Sequence, residues 1–112
     1  MAALQTETHS CPFCALSPNR ILEENEHGYL ILDAYPISAG HSLIIPKRHI
    51  ASWFDTQPEE KLSLLTLLDR AKERVAIECT PDGYNIGIND GQAAGQTVMH
   101  LHMHLIPRYQ DD

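Results

Sequence analysis

Three shortages bound what this chain can be. No apolar run approaches the roughly 20 residues that a membrane-spanning helix needs, so no membrane partner is expected. Cysteine is scarce and odd in number: Cys11, Cys14 and Cys79 do not make a disulfide framework. Positive charge is short, with 8 Lys and Arg against 15 Asp and Glu and a net charge of −7. A sequence-independent nucleic-acid binder wants a basic face, so nucleic acid is not an expected partner either. A small anionic ligand remains open, because it feels the local site more than the distant carboxylates. Residues 1–10 lack the basic and apolar regions of a secretory leader, so the cytoplasm is the expected compartment. Repeats, linkers and low-complexity tracts are also missing. What remains is 112 residues, 43% hydrophobic and 21% charged, enough for one core and not two. We expect a flexible arm at 1–10 and a single domain at 11–112.

Turn chemistry and periodicity give the elements. Residues 20–24 and 27–33 read as a β-hairpin around Asn25-Glu26. Residues 34–41, with Pro36, Ser38 and Gly40, read as a loop. Residues 42–45 form a short apolar strand closed by Pro46. From Pro58 to about Glu78 the spacing predicts a helix, capped by Asp55 or Thr56, with Pro58 in its first turn and Glu59 and Glu60 at its positive end. Its buried stripe is expected to comprise Leu64, Leu68, Ala71 and Val75, widened by Leu62 and Leu65. Thr80-Pro81-Asp82-Gly83 stops it. A strand at 84–89, a glycine-containing loop at 90–95 and a strand at 98–106 follow. The fold class is α+β: an antiparallel meander sheet with one long helix.

The chemistry concentrates in His100-Leu101-His102-Met103-His104-Leu105-Ile106. Alternation with period two puts three histidines on one strand face and Leu101 and Met103 on the other. Imidazoles suit phosphate, metal or proton handling at neutral pH. A neutral imidazole is also a good nucleophile toward phosphorus, provided its second nitrogen donates to a fixed acceptor. The central histidine is the best placed. Just upstream, Gly91, Gly95, Gln96 and Thr97 offer amides and side-chain donors for a phosphoryl oxygen; the plainer reading is a glycine loop without a ligand.

Asn89-Asp90-Gly91, Gly95-Gln96-Thr97-Val98 and the histidine run together resemble the signature of the histidine-triad (HIT) family, whose pattern is His-φ-His-φ-His-φ-φ with φ apolar. Residues 40–49 resemble the family's middle strand, and Asp33 its counterpart ahead of the loop. The likeness covers about residues 11–109. It implies a nucleotide hydrolase or transferase acting at the α-phosphate of AMP-linked substrates, such as dinucleoside polyphosphates or nucleoside phosphoramidates. His102 matches the nucleophile that forms a nucleotidyl-histidine, and His104 the histidine on the phosphate and leaving-group side. Asn89, Gln96 and Thr97 match phosphate- and leaving-group-binding positions. Asp33 matches the residue that holds the ribose hydroxyls, and two adjacent hydroxyls suit a carboxylate acceptor. Phe13, Leu16 and Ile31 fall where the family lines its base pocket, and would also serve as ordinary core. The tail Pro107-Arg108-Tyr109 leans toward the dinucleoside-polyphosphate-hydrolase and bacterial branches.

Cys11-Pro12-Phe13-Cys14 is a C-x-x-C pair. Structural zinc usually needs four ligands, so the pair alone leaves a redox couple or two incidental thiols open. A redox pair would prefer a parallel α/β setting. In zinc-containing bacterial-type relatives the pair is completed at positions matching His49 and His100, with His9 a rival here. Such a zinc would be structural. His41 is expected as a supporting partner, and a homodimer is expected because strand edges need covering. The alternative functions are a non-catalytic nucleotide-binding or regulatory module and a small structural zinc protein.

Overall fold

The computed structural model describes residues 10–112. All but the last residue of the expected arm at 1–10, and His9 with them, lie outside the described residues. Five strands and one long helix follow in the order β1 (Ile21–Glu24), β2 (Gly28–Leu32), β3 (Ser42–Pro46), α1 (Pro58–Glu78), β4 (Gly83–Ile88) and β5 (Met103–Arg108). The strands form one antiparallel sheet in the order β1-β2-β3-β5-β4. β1 to β3 succeed one another as hairpin neighbours. β5 then enters between β3 and β4, so these two run parallel and α1 is the crossover that such a pair requires.

The hairpin turns where Asn25 and Gly28 exchange two hydrogen bonds, at 3.0 and 3.1 Å. Asn25 also donates to the Ser63 carbonyl at 2.9 Å, which docks the turn on α1. β3 is buried along its whole length, as the apolar run Leu43-Ile44-Ile45 requires of a central strand. Alternation divides the core into two layers. Leu30, Ile44, Met103 and Leu105 pack with Leu64, Leu67, Ala71 and Val75 of α1. Ile31, Leu43 and Ile45 take the opposite face, covered by Phe13, Leu16 and Ile21. No helix among the described residues is long and apolar enough to cross a membrane.

Three expectations need correction. The strand expected at 98–106 pairs only from Met103 onward. Residues before it are held otherwise, the Leu101 amide donating to the Ile50 carbonyl at 2.6 Å. The helix cap is Gln57, not Asp55 or Thr56: Gln57 and Glu60 form a reciprocal capping box, while Thr56 donates to the Trp53 carbonyl in the preceding turn. The buried stripe includes Leu67 but not Leu62 or Leu65, which are 68% and 46% exposed. Rotating α1 to bury those two would expose Leu64 and Leu67, at about 2 kcal/mol each, and would draw Glu60 away from its partner.

That partner is Arg48. Its guanidinium donates twice to the buried Glu60 carboxylate, at 2.7 and 2.9 Å, and the Gln57 amide adds a third bond at 2.7 Å. The Arg48 hydrogen bonds, followed by that of Gln57, bring Glu60 down from 4.5 to about 2 despite burial. A carboxylate depressed on folding stabilises the fold above its unfolded pKa and loses that contribution as pH falls through the folded one. We therefore expect Glu60→Gln to cost on the order of 2 kcal/mol at neutral pH, allowing for the half-exposed Arg48. The gap in melting temperature between wild type and variant should close between about pH 5 and pH 2; a constant gap across that window would exclude the ion pair as its cause.

Candidate active site

Because the apolar members of the histidine run, Leu101, Met103 and Leu105, face α1, the histidines face the side of the sheet that carries no helix. There the segment around Phe13 covers them: its ring lies 5.9 Å from the His100 ring and 5.2 Å from that of His102. The His102 and His104 rings are 5.1 Å apart. The shared face expected from alternation thus holds, although only His104 stands on a paired strand.

A cavity of about 490 Å³ opens beside them, a size that suits a small ligand. Its wall includes Phe13, Arg20, Asp33, Tyr35, Asn89, Thr97, His102 and His104. Asp33, Asn89, Thr97 and Phe13 are therefore brought to the two histidines from four separate segments. Leu16 and Ile31 lie in the apolar layer beneath, with Leu43 and Ile45. Gln96 is buried and fully engaged: its amide nitrogen donates to the Ala51 and Val98 carbonyls, and its oxygen accepts from the Gly91 amide. In this arrangement its side chain shapes the loop. Asp90 does so from outside, accepting from Ser52 Oγ and the Trp53 amide at 3.0 and 2.9 Å.

Gly95 closes that loop at φ +93, and a Cβ there would come within 2.9 Å of Asn89 Nδ2. Both the backbone and the contact require glycine. Gly95→Ala is expected to cost about 1–3 kcal/mol and to displace Asn89 from the cavity wall, weakening ligand binding there more than the fold. Unchanged affinity by calorimetry would show that Asn89 does not hold the ligand.

The hydrogen bonds assign protons. His102 Nδ1 lies 2.9 Å from the His100 carbonyl. A carbonyl only accepts, so Nδ1 carries the hydrogen, and in the neutral ring Nε2 keeps its lone pair. His100 is reversed: its Nε2–H donates to the Pro46 carbonyl at 2.8 Å, leaving Nδ1 bare. Burial, with His49 and His102 nearby, lowers the pKa of His100 against a smaller opposing effect of that bond. Burial, then His102 and His41, likewise lowers His104, while Asp33 opposes. Both are thus held neutral at neutral pH.

The bare Nδ1 of His100 faces a cluster: Cys11 Sγ at 3.4 Å, Cys14 Sγ at 3.5 Å and His49 Nδ1 at 3.2 Å. Cys14 Sγ is 3.1 Å from His49 Nδ1. Edges of a tetrahedral zinc site with sulfur and nitrogen ligands are about 3.3–3.6 Å, so this donor set fits a metal ion with little adjustment. Burial and the adjoining Cys11 push the Cys14 thiol up to about 11; a bound cation would reverse that.

Two further groups stand at the site. Arg20 lines the cavity and donates to the Leu32 carbonyl at 3.0 Å. The hairpin register, which pairs Ile21 with Ile31, would have placed it near Asp33. His41, expected only as a supporting partner, sits with Nε2 2.9 Å from His104 Nδ1 and 3.4 Å from Asp33 Oδ2.

The sequence pattern of the HIT domain family matches residues 15–111. An adenylylsulfatase of Arabidopsis thaliana is 35% identical over 111 residues, 96% of this chain and 56% of that protein. Among solved structures, a Zn-bound histidine triad family protein from Mycobacterium smegmatis is similar at 39% identity and a TM-score of 0.83, covering 95% of this chain and 80% of that one. A diadenosine triphosphate hydrolase of Plasmodium falciparum, solved with cyclomarin A, is similar at 26% identity and a TM-score of 0.83, covering 87% of this chain and 66% of that one.

Proposed function

This chain belongs to the HIT domain family, and from that premise we propose that it is a nucleotide hydrolase cleaving at the α-phosphate of AMP-linked substrates. The observation that carries the reading is the His102 tautomer: Nδ1–H is tied to the His100 carbonyl, and the ring whose Nε2 is left bare lines the cavity. Nε2 attacks the α-phosphorus and a P–N bond forms. The bond to the leaving group breaks, and its electron pair departs with that group. Water then attacks the nucleotidyl-histidine, giving a nucleoside monophosphate and restoring the imidazole. Asp33 accepts from the ribose hydroxyls, Asn89 and Thr97 bind the phosphate and leaving group, and Phe13 packs on the base. Gln96 holds the loop, and Leu16 and Ile31 back the pocket. Adenylyl sulfate and diadenosine triphosphate, the substrates that two similar proteins' names imply, share this bond type and support the reading.

Zinc is the metal we assign to Cys11, Cys14, His49 and His100. The donor set, the bare His100 Nδ1 and the Zn-bound relative support it. Four protein ligands leave no open position, so it would fasten the N-terminal segment to the sheet and take no part in the chemistry. The outer edge of β4, with exposed Ile86, and exposed Leu62 and Leu65 support a homodimer.

The test is AMP release from adenosine phosphoramidate, diadenosine polyphosphates and adenylyl sulfate, with alkaline quench and mass spectrometry of the protein. AMP release with a nucleotidyl adduct on the His102 peptide is expected. Nucleotide binding without turnover of any of the three would replace this reading with a binding module.

A further inference from the structure

Asp33, His41 and His104 bring three ligating atoms within 4.8 Å of one another. That spacing would suit a second cation, but the hydrogen bonds decide otherwise. The Ile37 backbone N–H can only donate, and it meets His41 Nδ1 at 3.1 Å. That nitrogen is therefore bare, and the proton of the neutral ring sits on Nε2. Burial, which outweighs the opposing charge of Asp33, keeps the ring neutral. Nε2 thus has a hydrogen to give and no lone pair for a metal. The same reasoning gave the opposite answer at the cysteine cluster, where His100 donates outward and turns a bare nitrogen inward.

His41 Nε2–H points at two acceptors, His104 Nδ1 at 2.9 Å and Asp33 Oδ2 at 3.4 Å. The shorter contact makes His104 Nδ1 an acceptor, which places the proton of that ring on Nε2. We propose that the Ile37 amide, acting through His41, fixes His104 as its Nε2–H tautomer, so that His104 presents a hydrogen-bond donor to the leaving-group side of the phosphate. His41 is a positioning residue in this scheme. The relay is held by its loop: the Asp33 amide donates to the His41 carbonyl at 2.9 Å, the His41 amide to the Ser38 carbonyl at 3.1 Å, and Asp33 Oδ1 accepts from the Tyr35 amide. Gly40, at φ +90 with Cys79, Pro107 and Val75 each 3.2 Å from where a Cβ would be, admits no other residue without strain. The inference rests on His102 as the nucleophile. Proton position then alternates along the run: Nε2 in His100, Nδ1 in His102 and Nε2 in His104.

The experiment pairs spectroscopy with a leaving-group series, using the full chain. Long-range nitrogen–proton NMR correlation at neutral pH reads the His104 tautomer directly. Nε2–H is expected in the wild type and in His41→Gln, whose side-chain amide donates from a similar position, but not as the sole form in His41→Leu. With an alkyl phosphoramidate of AMP, whose leaving group must gain a proton, His41→Leu should lose about 100-fold in turnover. With the p-nitrophenyl ester of AMP, which leaves without one, the loss should be about 10-fold or less, and His41→Gln should recover most of both. An Nδ1–H His104 in the wild type overturns the proposal. So do equal losses in the two variants with no dependence on leaving group. Absence of turnover in the wild type would defeat the hydrolase reading instead, and the NMR arm would still decide the tautomer.

Discussion

His102→Ala is expected to lower turnover by at least about 10,000-fold while nucleotide affinity stays within a few-fold of the wild type. The asymmetry follows from where the groups sit. Asp33, Asn89, Thr97 and Phe13 share the cavity wall with His102 but come from other segments, so the ribose, phosphate and base contacts proposed for them would survive its removal. No neighbour can replace the missing nitrogen. His100 turns its only bare nitrogen toward Cys11, Cys14 and His49, and His104 spends Nδ1 on His41. The lost bond to the His100 carbonyl should cost about 1 kcal/mol of stability, small enough for the variant to fold. Single-turnover kinetics and calorimetric binding of AMP make the test. Turnover at the wild-type rate would end the covalent mechanism.

The second large effect concerns the cysteine cluster. Cys11→Ser is expected to remove the metal and to lower the melting temperature by on the order of 15 °C, corresponding to about 3 kcal/mol. The reason is the reach of the ligands. Contacts in the cluster join residues 35, 86 and 89 positions apart, so one ion would close loops spanning most of the chain, and long closures restrict the unfolded ensemble most. The substitution should also slow turnover. The carbonyl that orients His102 belongs to His100, and a ligand released from its ion moves its own backbone. Chelation of the wild type should reproduce both effects and zinc should reverse them. Fewer than about one zinc per ten chains in carefully purified protein would refute the assignment.

The contrast between β5 and α1 indicates how much the sequence discloses. Period-two alternation was enough to put the histidines on one face and Leu101 and Met103 on the other, because that pattern records which side is buried. It did not locate the strand's start. Whether Leu101 pairs with a neighbouring strand or with the Ile50 carbonyl is a long-range choice that leaves no local trace. In α1 the span was legible from Pro58 and the Thr80-Pro81 stop. The facing was less so, since leucines at 62, 64, 65, 67 and 68 offer apolar surface in several directions and the sheet selects among them. The Gln57–Glu60 box was obscured because glutamine is an uncommon cap. The histidine run was plain as a motif. The proton positions were not, since they depend on the Pro46, His100 and Ile37 backbone groups, which carry no side-chain signature.

β5 is translated after β3 and β4 yet lies between them. The ribosome therefore releases both flanking strands while their shared slot is still open, and only residues 103–108 close it. A chain halted before Met103 has the helix and four strands but neither β5 nor His104, the partner of His41. Such a topology folds slowly, because its decisive contacts are distant in sequence. On the proposed mechanism it also confines nucleophilic chemistry to chains in which β5 is in place: a nascent chain without it would lack the geometry to capture a nucleotide covalently.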